Sequence, residues 1–344
     1  MEHQNNSGSQ DTTIKETAGK SKMVYYRNVC IVLCLHITVA VFGGCAFLRD
    51  GKEDIKINRD FSEMGEGKNE AVPVLGQADS ISVEITAESA IVINADTNTV
   101  LYQKQSTDKI APASTVKLIM ALTALDYCSP EDVVTVGAEI EMIHKDSSRA
   151  WLTKGDVLTV RQLLIALLLP SGNDAAYTLA VNAGKKIAGN NSLTNGQSID
   201  VFLDKANEKA RALGAASSNF TAPDGYPAEG QYSTAYDLAM IAKACLDNPT
   251  ISKIVASYTS YEKWANGREV TYNNTNELLN PNSLYYRPEV IGLKTGTSSL
   301  SGACLISAAV INGKTYICSV MGADGDARFQ DSIAIYDEIK ARVK

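Results

Sequence analysis

The globular part of this chain has its β-rich segments at its two ends and its helical periodicity between them, which leaves few ways to close a sheet. Residues 90–95 and 99–103 are β-rich and flank the turn signal Asp96-Thr97-Asn98, predicting a hairpin. Residues 290–297, 303–311 and 315–321 read as strands again, the last two joined by Asn312-Gly313, a strong hairpin signal. Between these ends, 115–126, 160–169, 175–188 and 198–213 carry apolar residues at helical spacing, and 329–344 closes the chain as an amphipathic helix. Strands from both ends must pair while the helices cover the sheet. The expected class is therefore α+β, with an antiparallel sheet built from N- and C-terminal strands and a helical region between.

Ahead of this region, residues 29–48 carry no charge, and at about 1.5 Å per residue a helix of that length matches a hydrocarbon core of roughly 30 Å. Lys15, Lys20, Lys22 and Arg27 precede it and Asp50 and Glu53 follow, so the positive-inside tendency places the bulk of the chain outside the membrane. The expected organisation is a cytoplasmic polar arm (1–28), a transmembrane anchor or signal segment (29–48), a flexible linker rich in Glu, Lys, Asp, Asn and Gly (49–80), and a folded domain (81–344). Val41-Phe42-Gly43-Gly44-Cys45 is similar to the lipobox of bacterial lipoproteins, which keeps a lipid anchor on Cys45, or simple secretion, as alternatives to a retained anchor.

Composition removes other classes. The net charge of −7 argues against a nucleic-acid partner, because phosphate binding needs clustered Lys and Arg. Of the three histidines, His3, His36 and His144, only His144 falls in the folded domain, so neither a His-rich metal centre nor a cofactor is expected. Cys30, Cys34 and Cys45 lie in or beside the apolar segment. Cys128, Cys245, Cys304 and Cys318 are scattered like small buried hydrophobes rather than a disulfide framework.

Three short motifs carry the chemistry: Ser114-Thr115-Val116-Lys117, Ser171-Gly172-Asn173 and Lys294-Thr295-Gly296. Ser-x-x-Lys occurs three times, at Ser106/Lys109, Ser114/Lys117 and Ser260/Lys263, so context must choose. Only Ser114 follows a proline and opens a strongly helical run, which puts Lys117 one turn on over the same face. The other two pairs read as solvated surface pairs. For Lys117 to act as a base near neutrality its pKa must fall from about 10.4 to near 7, about 4 kcal/mol of differential stabilisation. Burial and a neighbouring cation supply such a fall, and Lys294 is the expected cation. Ser171 and Asn173 sit on a turn between two apolar helices. There Ser171 is expected to relay a proton between Lys294 and a leaving group, and Asn173 to hold Lys117 and a substrate amide. Gly296 lets a substrate backbone approach its strand, Lys294 and Thr295 are expected to bind a carboxylate, and the N–H groups of Ser114 and Thr297 are the candidate oxyanion donors. This is equipment for acyl transfer on a substrate ending in a carboxylate.

With these motifs in hand, the chain resembles the serine-type D-alanyl-D-alanine carboxypeptidases, the low-molecular-mass penicillin-binding proteins of peptidase family S11. The likeness runs from about Ser89 to the C-terminus. It includes Ala111-Pro112-Ala113-Ser114-Thr115, the stretch Leu167-Leu168-Leu169-Pro170-Ser171-Gly172-Asn173-Asp174, Tyr232-Ser233-Thr234-Ala235-Tyr236-Asp237 and Gly292-Leu293-Lys294-Thr295-Gly296-Thr297. The resemblance implies a β-lactamase/transpeptidase-like fold and removal of the terminal D-Ala from peptidoglycan stem peptides through an acyl-enzyme on Ser114. It also implies inhibition by β-lactams and a place outside the bacterial cell membrane. By the same resemblance Arg328 helps Lys294 and Thr295 hold the terminal carboxylate. Around Pro223-Asp224-Gly225-Tyr226 the family's Asn-Pro-His/Asp-Gly-Leu pattern is altered, and the N-terminal apolar segment is expected to replace the C-terminal anchor of many relatives.

Two rival readings share the motifs. Class A β-lactamases carry Ser-Asp-Asn in the middle motif and a deacylating Glu, and Glu277 lies too close to Lys294 in sequence for that role. A β-lactam sensor, for which acylation is the signal, is expected to couple to an output domain, and nothing ahead of Val29 resembles one.

Overall fold

The structure is a computed structural model and describes residues 80–342. The polar arm, the apolar segment at 29–48 and almost all of the linker lie outside the described residues, as do Cys30, Cys34, Cys45, His3 and His36. Among the described residues, no helix is long and apolar enough to cross a membrane.

Strands β1 (Ser89–Asn94) and β2 (Val100–Lys104) form the expected N-terminal hairpin. The other three strands of the sheet are β7 (Val290–Ser298), β8 (Gly302–Ile311) and β9 (Lys314–Ala323). The sheet runs β2-β1-β9-β8-β7, every pairing antiparallel, with Ala90 opposite Val320 where the two ends of the chain meet. Asn312 and Gly313 both take left-handed φ values, 50° and 75°, which is what a tight β8–β9 turn requires. The chain is α+β as its patterning implied.

The alternation along each strand sorts side chains to two faces. Ile91, Ile93, Ile306 and Ile317 enter a core shared with the helical region, while Val92, Leu305, Val320 and Tyr316 pack on the opposite face with the closing helix. That helix, Ala327–Arg342, starts two residues earlier than expected. The helical region contains α1 (Lys117–Tyr127), α2 (Val160–Leu168), α3 (Asn173–Ala188) and α4 (Asn195–Ala212), each within a few residues of its predicted span. It also contains α5 (Ala235–Asp247) and α6 (Pro249–Val255), whose periodicity went unread; Thr234 and Asn248 cap them through their side chains. The closing helix becomes α7. The short strand pairs β3 (Val133–Thr135) with β4 (Val157–Thr159) and β5 (Thr259–Lys263) with β6 (Glu269–Asn273) lie outside the main sheet.

Two readings of decoy pairs are settled by packing. Ser260 and Lys263 sit on β5, where Lys263 pairs with Glu269 in solvent as expected. Ser106, expected at the surface, is instead buried and donates to Gln103, while Lys109 lies 4.3 Å from the Tyr232 ring centroid. All four cysteines of the described region are free and buried.

Helices α3 and α4 approach so closely that a Cβ added to Gly184 would lie 1.9 Å from the Ser198 carbonyl oxygen. Gly184→Ala is therefore expected to lower the melting temperature by several degrees, since overpacking costs about 1–3 kcal/mol and each kcal/mol moves a domain of this size by about 2–4 °C. An unchanged melt followed by circular dichroism would show that this contact does not constrain the fold.

Candidate active site

The segment before α1 is a 3₁₀ turn, Ala113–Val116, continuous with the helix. Side chains three apart eclipse in a 3₁₀ turn, so Ser114 and Lys117 stand on one line. Pro112 occupies the cap position and no side chain caps the turn, which leaves the Ser114 hydroxyl free of a capping role. Lys117 Nζ lies 2.7 Å from Ser114 Oγ, 2.7 Å from Asn173 Oδ1, 3.0 Å from the Asp224 carbonyl oxygen and 3.3 Å from Ser171 Oγ. A neutral amine has two hydrogens and a lone pair. Donation to the two carbonyl-type oxygens then leaves the lone pair for the Ser114 hydroxyl.

Lys117 is fully buried, and that burial lowers its pKa to about 8, with the Asp224 and Asp174 carboxylates pulling it back up. Of the two causes expected, burial is the leading one, and the charges that act on Lys117 are these two carboxylates rather than the Lys294 cation. Lys294 is itself fully buried and held well below the usual lysine range, first by desolvation, then by the charges on Lys117 and Arg328.

Strand β7 brings the third motif to the same place. Lys294 pairs across the ladder with Ile306 and Gly296 with Cys304, both partners in the core shared with the helices, so Lys294 and Gly296 face the helical region. A Cβ on Gly296 would meet Ala113 Cβ at 3.0 Å and Ser114 N at 3.2 Å. The backbone of the strand thus lies directly against the nucleophile's turn. Lys294 Nζ donates to the Thr295 carbonyl at 2.9 Å and not to Ser171, so the expected Lys294–Ser171 relay is replaced by the Lys117–Ser171 contact.

The middle motif is a turn between α2 and α3, as predicted, and Asn173 is the first residue of α3. Asn173 Oδ1 takes Lys117 and Ser148 Oγ (3.2 Å), and its Nδ2 donates to Asp224 Oδ2 at 2.7 Å. Only one amide hydrogen of Asn173 is left for a substrate, so its main task is holding Lys117. Ala113 (φ 48°) and Ser171 (φ 64°) both take left-handed backbone conformations, strain of order 1–3 kcal/mol at each non-glycine position. Arg328 Nη1 donates to the Gly296 carbonyl at 3.0 Å and to Thr297 Oγ1 at 2.8 Å, which places its guanidinium at the end of the strand. Together these groups edge a cavity of ≈ 420 Å³ to which Ser114, Ser171, Asn173, Thr295, Gly296, Thr297 and Arg328 all contribute.

Asp224 and Gly225 are the residues that the motifs did not announce; their only sequence signal was an altered pattern. Asp224 is fully buried, its carbonyl accepts from Lys117 and Ser114, and its carboxylate holds Asn173 and the Tyr226 N–H (3.0 Å). Gly225 (φ 82°) packs on the strained turn, where a Cβ would lie 1.9 Å from the Ala113 carbonyl oxygen. Asp174 is buried beside them and accepts from the N–H groups of Ala150 and Leu152 at 2.8 and 2.9 Å, tying down the loop that brings Ser148 to Asn173.

A family model described as D-alanyl-D-alanine carboxypeptidase, peptidase S11, matches residues 76–325. The chain is 32% identical over 240 residues to the D-alanyl-D-alanine carboxypeptidase DacF of Bacillus subtilis, covering 69% of this chain and 57% of that protein. It is 33% identical over 262 residues to the D-alanyl-D-alanine carboxypeptidase of Streptomyces sp. strain K15, covering 73% and 86%. Among solved structures, the Streptomyces K15 DD-transpeptidase matches with a TM-score of 0.69 at 31% identity, covering 76% of this chain and 99% of that one. A Mycobacterium tuberculosis D-alanyl-D-alanine carboxypeptidase matches with a TM-score of 0.66 at 30% identity, covering 78% and 96%.

With neutral Lys117 acting as the base toward Ser114, the acylation rate by an activated ester is expected to rise with pH through a midpoint near 8. Asp224→Asn removes a carboxylate that raises Lys117, so the midpoint should move to lower pH, while loss of the Asn173 anchor lowers the maximal rate. A stopped-flow pH profile with an unmoved midpoint would deny Asp224 this positioning role.

Proposed function

The chain belongs to the peptidase S11 family of D-alanyl-D-alanine carboxypeptidases, and we propose that it removes the terminal D-Ala from peptidoglycan stem peptides through an acyl-enzyme on Ser114. The observation that carries this reading is the 2.7 Å contact between the buried Lys117 amine and the Ser114 hydroxyl. Neutral Lys117 takes the Ser114 proton as Oγ bonds to the carbonyl carbon of the penultimate D-Ala. The oxyanion forms between the N–H groups of Ser114 and Thr297; loss of one such donor typically costs about 10²- to 10³-fold in rate. The proton on Lys117 passes through Ser171 Oγ to the departing amine, the C–N bond breaks and D-Ala leaves. Water then attacks the ester, gives its proton to Lys117 and restores Ser114.

Strand β7 is an edge of the sheet, so an extended peptide can lie along it as an added strand. Its terminal carboxylate then comes to Thr295, Lys294 and Arg328. A β-lactam presents the same carbonyl and carboxylate, but its leaving amine stays tethered in the acyl-enzyme. The relatives from Streptomyces K15 are named both carboxypeptidase and transpeptidase, and transfer of the acyl group to an amine rather than water is the same chemistry with a different acceptor. The β-lactamase alternative draws no support from the cavity lining, whose one acid is Asp146; Glu277 sits on the 3₁₀ turn Glu277–Leu279 and accepts from Asn280. We further propose that the apolar segment at 29–48 holds the catalytic domain at the outer face of the cell membrane, with lipidation of Cys45 or secretion as the outcomes that fractionation and intact-mass measurement would reveal instead.

Ser114→Ala is expected to abolish both penicillin labelling, read as an intact-mass increase, and D-Ala release from a stem-peptide mimic. Labelling that persists in the variant would mean another serine is the nucleophile. Labelling without D-Ala release in the native protein would favour the sensor reading.

A further inference from the structure

The cavity at Ser114 carries one charged group of each sign. Arg328 stands at the strand side, and Asp146 is the one carboxylate among the lining residues. Asp146 belongs to the loop that supplies Ser147 and Ser148, on the side built from the helical region. Its position is organised. Tyr226 Oη donates to both Asp146 oxygens, at 3.2 and 3.3 Å. The Tyr226 ring is stacked on His144 with centroids 3.7 Å apart and planes 7° apart. The Tyr226 backbone is pinned at both ends, its N–H to the Asp224 carboxylate and its carbonyl to Gln231 Nε2 at 2.9 Å. Beside Asp146, Ser147 and Ser148 continue the same cavity wall. Lys145 and Arg149, the cations flanking Asp146 in sequence, do not line the cavity.

The carboxylate end of a substrate is taken by Arg328, and its reacting carbonyl by Ser114. The residue that precedes the two D-alanines therefore extends away from Arg328, toward the wall that bears Asp146. We propose that Asp146, oriented by Tyr226, is a specificity-determining residue that accepts a positively charged side-chain amine on the residue preceding the D-Ala pair. This deepens the carboxypeptidase reading and rests on it. An ammonium brings three donors, and the two Asp146 oxygens keep lone pairs to accept them beyond the single Tyr226 hydrogen they share. Asp146 is solvent-exposed, so the preference is modest and sensitive to salt.

The test compares D-Ala release from two peptides, Nα-acetyl-L-Lys-D-Ala-D-Ala and its Nα,Nε-diacetyl counterpart, which differ only in the side-chain charge. The free amine is expected to be favoured about two- to fivefold in kcat/KM at low salt, with the gap closing as salt is raised. Asp146→Asn should bring the ratio to near one, and Asp146→Lys should invert it, with penicillin labelling of each variant confirming an intact Ser114 site. Equal release from both peptides by the native protein, or a preference that survives Asp146→Asn, would remove the subsite and leave the carboxypeptidase reading standing. Release from neither peptide would overturn both.

Discussion

The constraint on which the site depends is the burial of two lysine amines in one dry region, Lys117 and Lys294, each fully shielded from solvent. A buried ammonium must be compensated or give up its proton. How the compensation is arranged decides what the site can do. A carboxylate bonded directly to Lys117 would hold it charged and useless as a base. The fold instead offers Lys117 the backbone carbonyl of Asp224 and the side-chain carbonyl of Asn173, while the Asp224 carboxylate is spent on Asn173 Nδ2 and the Tyr226 N–H. The acid is near enough to raise Lys117 and not near enough to lock it, so burial still brings the amine down to about 8.

That balance requires backbone in unusual places. Ala113 and Ser171 flank the chemistry in left-handed conformations that cost each of them stability, and both are gripped by close packing. Gly296 of β7 and Gly225 of the Asp224 loop both pack on the Ala113–Ser114 backbone at distances where no side chain fits. The hydrophobic packing around them is what sustains the strain: α1 and α2 are almost entirely buried in the core they share with the sheet. Two glycines in contact with one strained turn are a structural reason for the Ser114 N–H to be held still while charge develops beside it.

The five strands of the main sheet and four of the six central helices were legible in the sequence because each announces itself locally, through period, turn residues or length; the short pairs β3–β4 and β5–β6 were not. Helices α5 and α6 were not: α6 has only seven residues, and α5, though thirteen long, meets it across the single residue Asn248, which caps the start of α6. The site divides in the same way. The Ser114–Lys117 pairing is a one-turn relation, and the choice among three Ser-x-x-Lys matches could be made from the proline and the helix that follows. Which acceptors Lys117 finds depends on residues 50 to more than 100 positions away, Asn173 and Asp224, and no spacing rule reaches that far. Hence Asp224 registered only as a departure from a pattern, and the carboxylates that pull Lys117 back up, Asp224 and Asp174, were not read at all.

The division also explains why such a site is assembled from both ends of a chain and not from one contiguous element. In the unfolded polymer the Ser114 hydroxyl and the Lys117 amine are already neighbours, yet the amine is hydrated and charged, and the pair is inert. In the folded chain that amine is fully buried among Asn173, Ser171 and the Asp224 carbonyl, while β7, the edge strand beside β8, closes on the same turn in a sheet drawn from opposite ends of the folded region. Gly296 of that strand lies against the Ala113–Ser114 backbone, and Lys294 and Lys117 are both fully buried in the folded chain. The setting in which the Lys117 amine can be neutral thus depends on contacts far apart in the chain, as the sheet itself does. A partly folded chain, lacking β7 at the edge, has the residues of the first motif without their reactivity.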